Sequence, residues 1–202
     1  LDVWLTYTIY KDKSQIDINI TGKTSGTTPV NLTTHPYFRL SNSGNVLDHQ
    51  LTVPADKMAE FDDGGKQRVI GEKSLKDTEN APWNFQNTKN IGQDIAEAKR
   101  LDPAAGGYDH IWKFTEGLDT HTITLKNPAN NLQLDVTTDA NAVIMYSNCY
   151  PNNNLEMITG ETDGLYNAIT IEPYTFFKSD DVSPLNITPD KTFSRYISYK
   201  LS

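Results

Sequence analysis

One cysteine, Cys149, in 202 residues leaves no pair for an intramolecular disulfide, so the fold must rest on its core. That is compatible with a reducing compartment without requiring one, and a cytoplasmic location is the expectation. No run of about 18 consecutive apolar residues occurs, which excludes a membrane-spanning helix. Positive charge is in deficit, with 18 Lys and Arg against 26 Asp and Glu and a net charge of −8. A nucleic-acid partner is therefore not expected, because phosphate binding needs clustered cations. Reaction motifs are missing too: there is no Gly-x-Ser-x-Gly elbow and no structural zinc spacing. Gly64-Gly65-Lys66 lacks the upstream glycine and the hydroxyl residue of a phosphate-binding loop.

What is present is period-two alternation, the mark of half-buried strands. Leu1, Val3, Leu5, Tyr7 and Ile9 share one face, as do Ile16, Ile18 and Ile20, then Leu132, Leu134 and Val136, then Phe193, Ile197, Tyr199 and Leu201. Shorter candidates are Val46–Val53, Thr122–Lys126, Ala142–Asn148 and Ala168–Glu172. Turn formers separate the runs: Lys11-Asp12-Lys13, Asp62-Asp63-Gly64-Gly65 and Pro151-Asn152-Asn153-Asn154. Only Gln93–Arg100 has a helical pattern. Many strands with almost no helix predict an all-β sandwich or barrel, in one domain over residues 1–202. The first ten residues lack a basic segment followed by an apolar core, so they are not read as a signal peptide. They read as a strand already under way, and the expectation is of a domain without its N-terminal portion. Phe61–Gly107 has few alternating runs and is expected to be a long irregular excursion that shapes a site.

Four histidines can each be weighed. His35 ends a predicted strand in Thr33-Thr34-His35-Pro36-Tyr37-Phe38, His49 alternates within a strand, His110 follows Asp109, and His121 sits in a polar turn. A histidine satisfied by hydrogen bonds in the interior is the ordinary case for any of them. Asp109 follows Gly106-Gly107-Tyr108, where glycine permits tight backbone geometry beside a site. Glu172 closes the apolar strand Ala168-Ile169-Thr170-Ile171. Such a carboxylate is paired, solvent-facing or held for chemistry, and the pattern alone favours solvent.

Three of these segments carry a family resemblance. Thr33-Thr34-His35-Pro36-Tyr37-Phe38, Gly107-Tyr108-Asp109-His110 and Ile171-Glu172-Pro173 resemble, in that order, elements of the aldose 1-epimerase (galactose mutarotase-like) family. Thr28–Thr33, Asp48-His49, Ala55-Asp56 and Tyr146-Ser147-Asn148 add similarity around them. The resemblance implies a large antiparallel β-sandwich. It implies interconversion of the α and β anomers of an aldose, with His35 as general acid, Glu172 as general base and Asp109 binding sugar hydroxyls. The implied partner is a small neutral sugar, an aldohexose such as galactose or glucose, which suits an acidic chain better than a phosphosugar. No cofactor or metal is implied. His35, Asp109, Glu172 and the Phe61–Gly107 excursion are expected to converge on one open cleft.

The chain also departs from the family pattern. Thr34 stands where the family has Asn before the histidine, Arg39 where it has Asn after the phenylalanine, and Tyr174 where it has Gln. Neither the family's early Asn-Arg pair nor its second histidine near Gly-Gly is found. These departures keep two alternatives open: a non-catalytic carbohydrate-binding β-sandwich, and an epimerase acting on a larger saccharide.

Overall fold

The computed structural model describes residues 1–62, 68–152, 155–158 and 160–202. In chain order its strands are β1 (Asp2–Ile9), β2 (Gln15–Lys23), β3 (Thr28–Pro29), β4 (Tyr37–Phe38), β5 (Gln50–Thr52), β6 (Ala55–Phe61), β7 (Val69–Ser74) and β8 (Lys89–Asn90). They continue as β9 (Asp109–Phe114), β10 (His121–Lys126), β11 (Gln133–Thr138), β12 (Ala142–Tyr146), β13 (Ile169–Tyr174), β14 (Asn186–Ile187) and β15 (Phe193–Leu201). A seven-stranded sheet runs β1-β2-β15-β11-β10-β5-β8, a six-stranded sheet runs β4-β13-β12-β9-β6-β7, and β14 pairs with β3. Neighbouring strands are antiparallel, as in β12 against β13 and β9. The helix predicted over Gln93–Arg100 is α1 (Ile95–Leu101). Among the described residues no helix is long and apolar enough to cross a membrane.

The two sheets form a sandwich because each contributes one apolar face to a single core. Ile18, Ile20, Ile123, Leu125, Val136 and Ile197 come from the larger sheet, and Trp112, Phe114, Val143, Met145, Ile169 and Ile171 from the smaller. Alternation places the residues between these on the outer face of the smaller sheet. That outer face carries a second, smaller apolar group of Ala59, Val69, Ile111 and Ala142.

Several sequence expectations need correction. Phe61–Gly107 is not a structureless excursion: it holds β7, a 3-10 turn over Thr78–Trp83, β8 and α1. β7 extends the smaller sheet, and β8 extends the larger one. β9 shows no alternation because both its faces are covered, with His110, Ile111 and Trp112 all buried in succession. His49 lies outside any strand, and His121 is the buried first residue of β10 instead of a polar turn. β1 alternates in sequence, yet each of its residues is exposed. The Gly64-Gly65 and Asn153-Asn154 turns lie outside the described residues.

Candidate functional site

Strand register builds the site. Tyr37 on β4 aligns with Thr170 on β13, Thr170 with Tyr146 on β12, and Tyr146 with Asp109 on β9. One row of side chains therefore crosses four strands on the outer face of the smaller sheet. The next row on that face holds Glu172, Ile144 and Ile111. His35, two residues before Tyr37, completes the second row by reaching Glu172. Its Nε2 stands 3.1 Å from Glu172 Oε1. The His35 side chain is 53% exposed and that of Glu172 only 9%, so the pair joins an open group to a buried one. The solvent-facing reading of Glu172 is thus overturned.

Glu172 is held from below as well. The Thr170 hydroxyl donates to Glu172 Oε1 at 2.8 Å, and the Tyr146 N–H donates to Thr170 Oγ1 at 3.2 Å. Burial pushes the Glu172 carboxyl above its ordinary range, against the opposing pulls of the Thr170 hydroxyl and His35. A raised pKa means that Glu172 gains its proton at higher pH than an ordinary carboxylate. Activity that needs ionised Glu172 should therefore fall on the acid side beginning above the usual carboxylate value of about 4.3. A pH profile of kcat/KM checks this, and an acid limb at or below that value would contradict it.

Asp109 sits two strands from Glu172, on the order of 10 Å by strand spacing. Burial pushes the Asp109 carboxyl upward, while His110 and His35 oppose the shift. The Tyr146 phenol between them is pushed up to about 12 by burial, so it stays a neutral donor and acceptor near pH 7. Tyr37 packs against His35 at 5.1 Å between ring centroids and meets Tyr146 edge-on at 6.4 Å. The result is an aromatic wall beside the His35–Glu172 pair.

A cavity of about 480 Å³ opens beyond Asp109, bordered by Phe61, Trp83, Asp102, Asp109 and His110. The Thr78–Gly107 segment forms much of it, and neither His35 nor Glu172 lines it. The expected convergence is therefore divided. The three predicted residues share one sheet face, and the excursion adds a cavity at the Asp109 end.

The approach to Asp109 is tight. A Cβ added at Gly107 would lie 2.9 Å from Ser147 Oγ and 3.0 Å from Tyr166 Cε1. Any larger residue there would have to displace the Ser147 or Tyr166 side chain.

The remaining histidines have structural partners. His49 Nε2 accepts the Leu40 N–H at 3.0 Å, and His121 stacks on Phe114 at 4.5 Å. Burial pushes both imidazoles down, toward the neutral form. Arg39 donates to the Ser41, Asn42 and Gly44 carbonyls and pairs with Glu161, bracing a loop. Thr34 bonds Tyr199 Oη at 2.6 Å. Sequence reasoning missed Thr170, whose signal was its i, i+2 spacing from Glu172 on one strand. Among the described residues, no group of three or more His, Cys, Asp or Glu is placed to hold a metal ion.

Comparison with known proteins gives one family. The model of the family described as aldose 1-epimerase matches residues 1–175. Aldose 1-epimerase of Haemophilus influenzae is 31% identical over 153 residues, covering 74% of this chain and 43% of that protein. Galactose mutarotase of Mus musculus is 24% identical over 208 residues, covering 100% of this chain and 58% of the relative. The chain thus spans about half the length of the curated relatives it matches. The crystal structure of galactose 1-epimerase from Lactobacillus acidophilus superimposes with a TM-score of 0.81 at 21% identity, covering 99% of this chain and 56% of that one. An aldose epimerase homologue from C. elegans gives 0.74 at 22%, covering 98% and 58%. At those identities the structural matches speak for the fold alone.

Proposed function

The chain belongs to the aldose 1-epimerase family, and from that premise we propose that it interconverts the α and β anomers of an aldose by opening and closing the pyranose ring. The observation that carries the reading is the contact of an open histidine with a buried carboxylate, His35 Nε2 to Glu172 Oε1 at 3.1 Å. Ring opening moves two protons at oxygens that share one carbon. The O1 hydroxyl must lose its proton as C1=O1 forms, and the ring oxygen must gain one as C1–O5 breaks. Two groups within one hydrogen bond of each other suit that adjacent pair of oxygens.

Glu172 as carboxylate takes the O1 proton, and protonated His35 gives its proton to O5. The open-chain aldehyde then rotates about C1–C2. On closure, neutral His35 takes the proton back from O5, and protonated Glu172 returns one to O1 on the other face. Protons balance over the cycle and no electrons are exchanged. Positioned acid and base groups of this kind contribute roughly 10²–10⁴ in rate. Asp109 accepts hydrogen bonds from sugar hydroxyls and fixes the ring against the pair.

The substrate in this reading is a neutral aldohexose such as galactose or glucose, and the compartment is the cytoplasm. The cavity beyond Asp109 favours acceptance of an aldose bearing a further sugar unit, so disaccharides with a free reducing end belong in the assay. The alternative of a binder without chemistry is separated by one variant. His35→Ala is expected to slow the approach of a fresh α-anomer to rotational equilibrium by about 100-fold, through loss of the acid. Polarimetry measures it, and an unchanged rate in a folded variant would remove His35 from the mechanism.

A further inference from the structure

We propose that His110 and Asp102 are positioning residues that fix Asp109 for the sugar, a role that rests on the reading of Asp109 given above. Asp109 opens β9, separated by Tyr108 from the bend at Gly106-Gly107. The register of β9 with β6 ends at Met58↔Trp112, before it reaches Asp109. Among the described residues the Asp109 N–H has no ladder partner on that side, and a peptide donor partly withdrawn from water needs one. The His110 imidazole takes the place of the missing strand. The Asp109 N–H donates to His110 Nδ1 at 3.0 Å.

That bond assigns the tautomer. A peptide nitrogen can only donate, so Nδ1 is the lone-pair nitrogen and the proton lies on Nε2. Nε2 faces Asp102 Oδ2 at 3.2 Å. The His110 side chain is 2% exposed. It is flanked by Trp83 at 5.3 Å and Trp112 at 6.0 Å between ring centroids. The imidazole is thus a rigid spacer between a carboxylate at the end of α1 and the peptide that carries Asp109. Asp102 is anchored in turn, since its Oδ1 accepts the Ala105 N–H at 3.2 Å. The His110 N–H also holds the Asp102 carboxyl below its usual range, consistent with an ionised acceptor.

Rotation of the Asp109 peptide would swing its Cα–Cβ bond and carry the carboxylate off the sugar. A misplacement of about 1 Å can cost about 10²-fold in rate. The two residues touch no reacting atom, and with a monosaccharide, which does not extend into the cavity beyond Asp109, their effect passes through Asp109 and falls mainly on KM.

A double-mutant cycle on folded protein, with melting temperatures recorded, tests this. His110→Ala is expected to lower kcat/KM by about tenfold or more, mostly through KM. His110→Asn is expected to recover most of that loss, because its amide oxygen hangs from Cγ where Nδ1 did and can accept the same N–H. Asp102→Ala, a milder change at a part-exposed site, is expected to raise KM several-fold. In an Asp109→Ala background all three substitutions should leave kcat/KM unchanged. Full additivity in that background, or an Asn variant as poor as Ala, would overturn the inference while leaving Asp109 in place. If His110→Ala does not fold, the Asp102→Ala cycle decides by the same criterion. A wild-type KM in Asp109→Ala alone would instead remove the role of Asp109 and this inference with it.

Discussion

Glu172→Gln is expected to slow anomer interconversion by at least about 100-fold while leaving sugar affinity nearly unchanged. The amide keeps the shape of the carboxylate, and its oxygen can still accept the Thr170 hydroxyl that now reaches Glu172 at 2.8 Å. It cannot take the O1 proton. An interaction needed only as O1 is deprotonated should appear in kcat and not in KM. Calorimetric titration with the same sugar separates the two effects. A variant with near-normal kcat, or one whose loss lies wholly in binding, would contradict the role of Glu172 as base.

Trp112→Ala is expected to destabilise the protein by about 3–5 kcal/mol, the usual range for deleting a large core aromatic. Trp112 is fully buried and sits on the inner face of β9, opposite to the face that carries Asp109. Its indole N–H donates to the Trp83 carbonyl at 2.7 Å, tying β9 to the 3-10 turn over Thr78–Trp83. Its ring meets Phe85 and Tyr108, each at 6.3 Å between centroids. Removal opens a cavity between the sheets and orphans the Trp83 carbonyl. For a chain of this size the loss corresponds to a fall of roughly 6–20 °C in melting temperature. A shift under about 2 °C would show that β9 is held mainly from elsewhere.

Apart from β1, whose residues are all exposed, the strands whose alternation is readable from sequence have one covered and one open face. β2, β10, β11 and β15 alternate because their partner residues face water or a polar edge. β9 and β13 are buried on both faces, so periodicity cannot separate their two sides. β13 was still visible as a short apolar run, whereas β9 was hidden by the histidine and lysine within it. β6 was obscured by register shifts between Ala55 and Lys57 and between Glu60 and Phe61.

The site was legible in part for a related reason. His35, Asp109 and Glu172 lie in short motifs whose order along the chain survives folding. Their meeting on one face depends on β4, β13, β12 and β9 lying side by side, which no local pattern encodes. The burial of Glu172 was missed because a charge at the end of an apolar run looks like a strand emerging into solvent. Here the run continues through Pro173 and Tyr174. Asp102 was invisible because its link to Asp109 runs through the His110 ring and not through sequence spacing.

The most direct test is the polarimetric rate constant of freshly dissolved α-galactopyranose measured against protein concentration. Glu172→Gln protein at the same concentrations gives the baseline. If His35 and Glu172 form the acid–base pair, the wild-type rate should rise linearly with protein, with a slope at least about 100 times that of the variant. A wild-type slope no greater than that of Glu172→Gln would contradict the account.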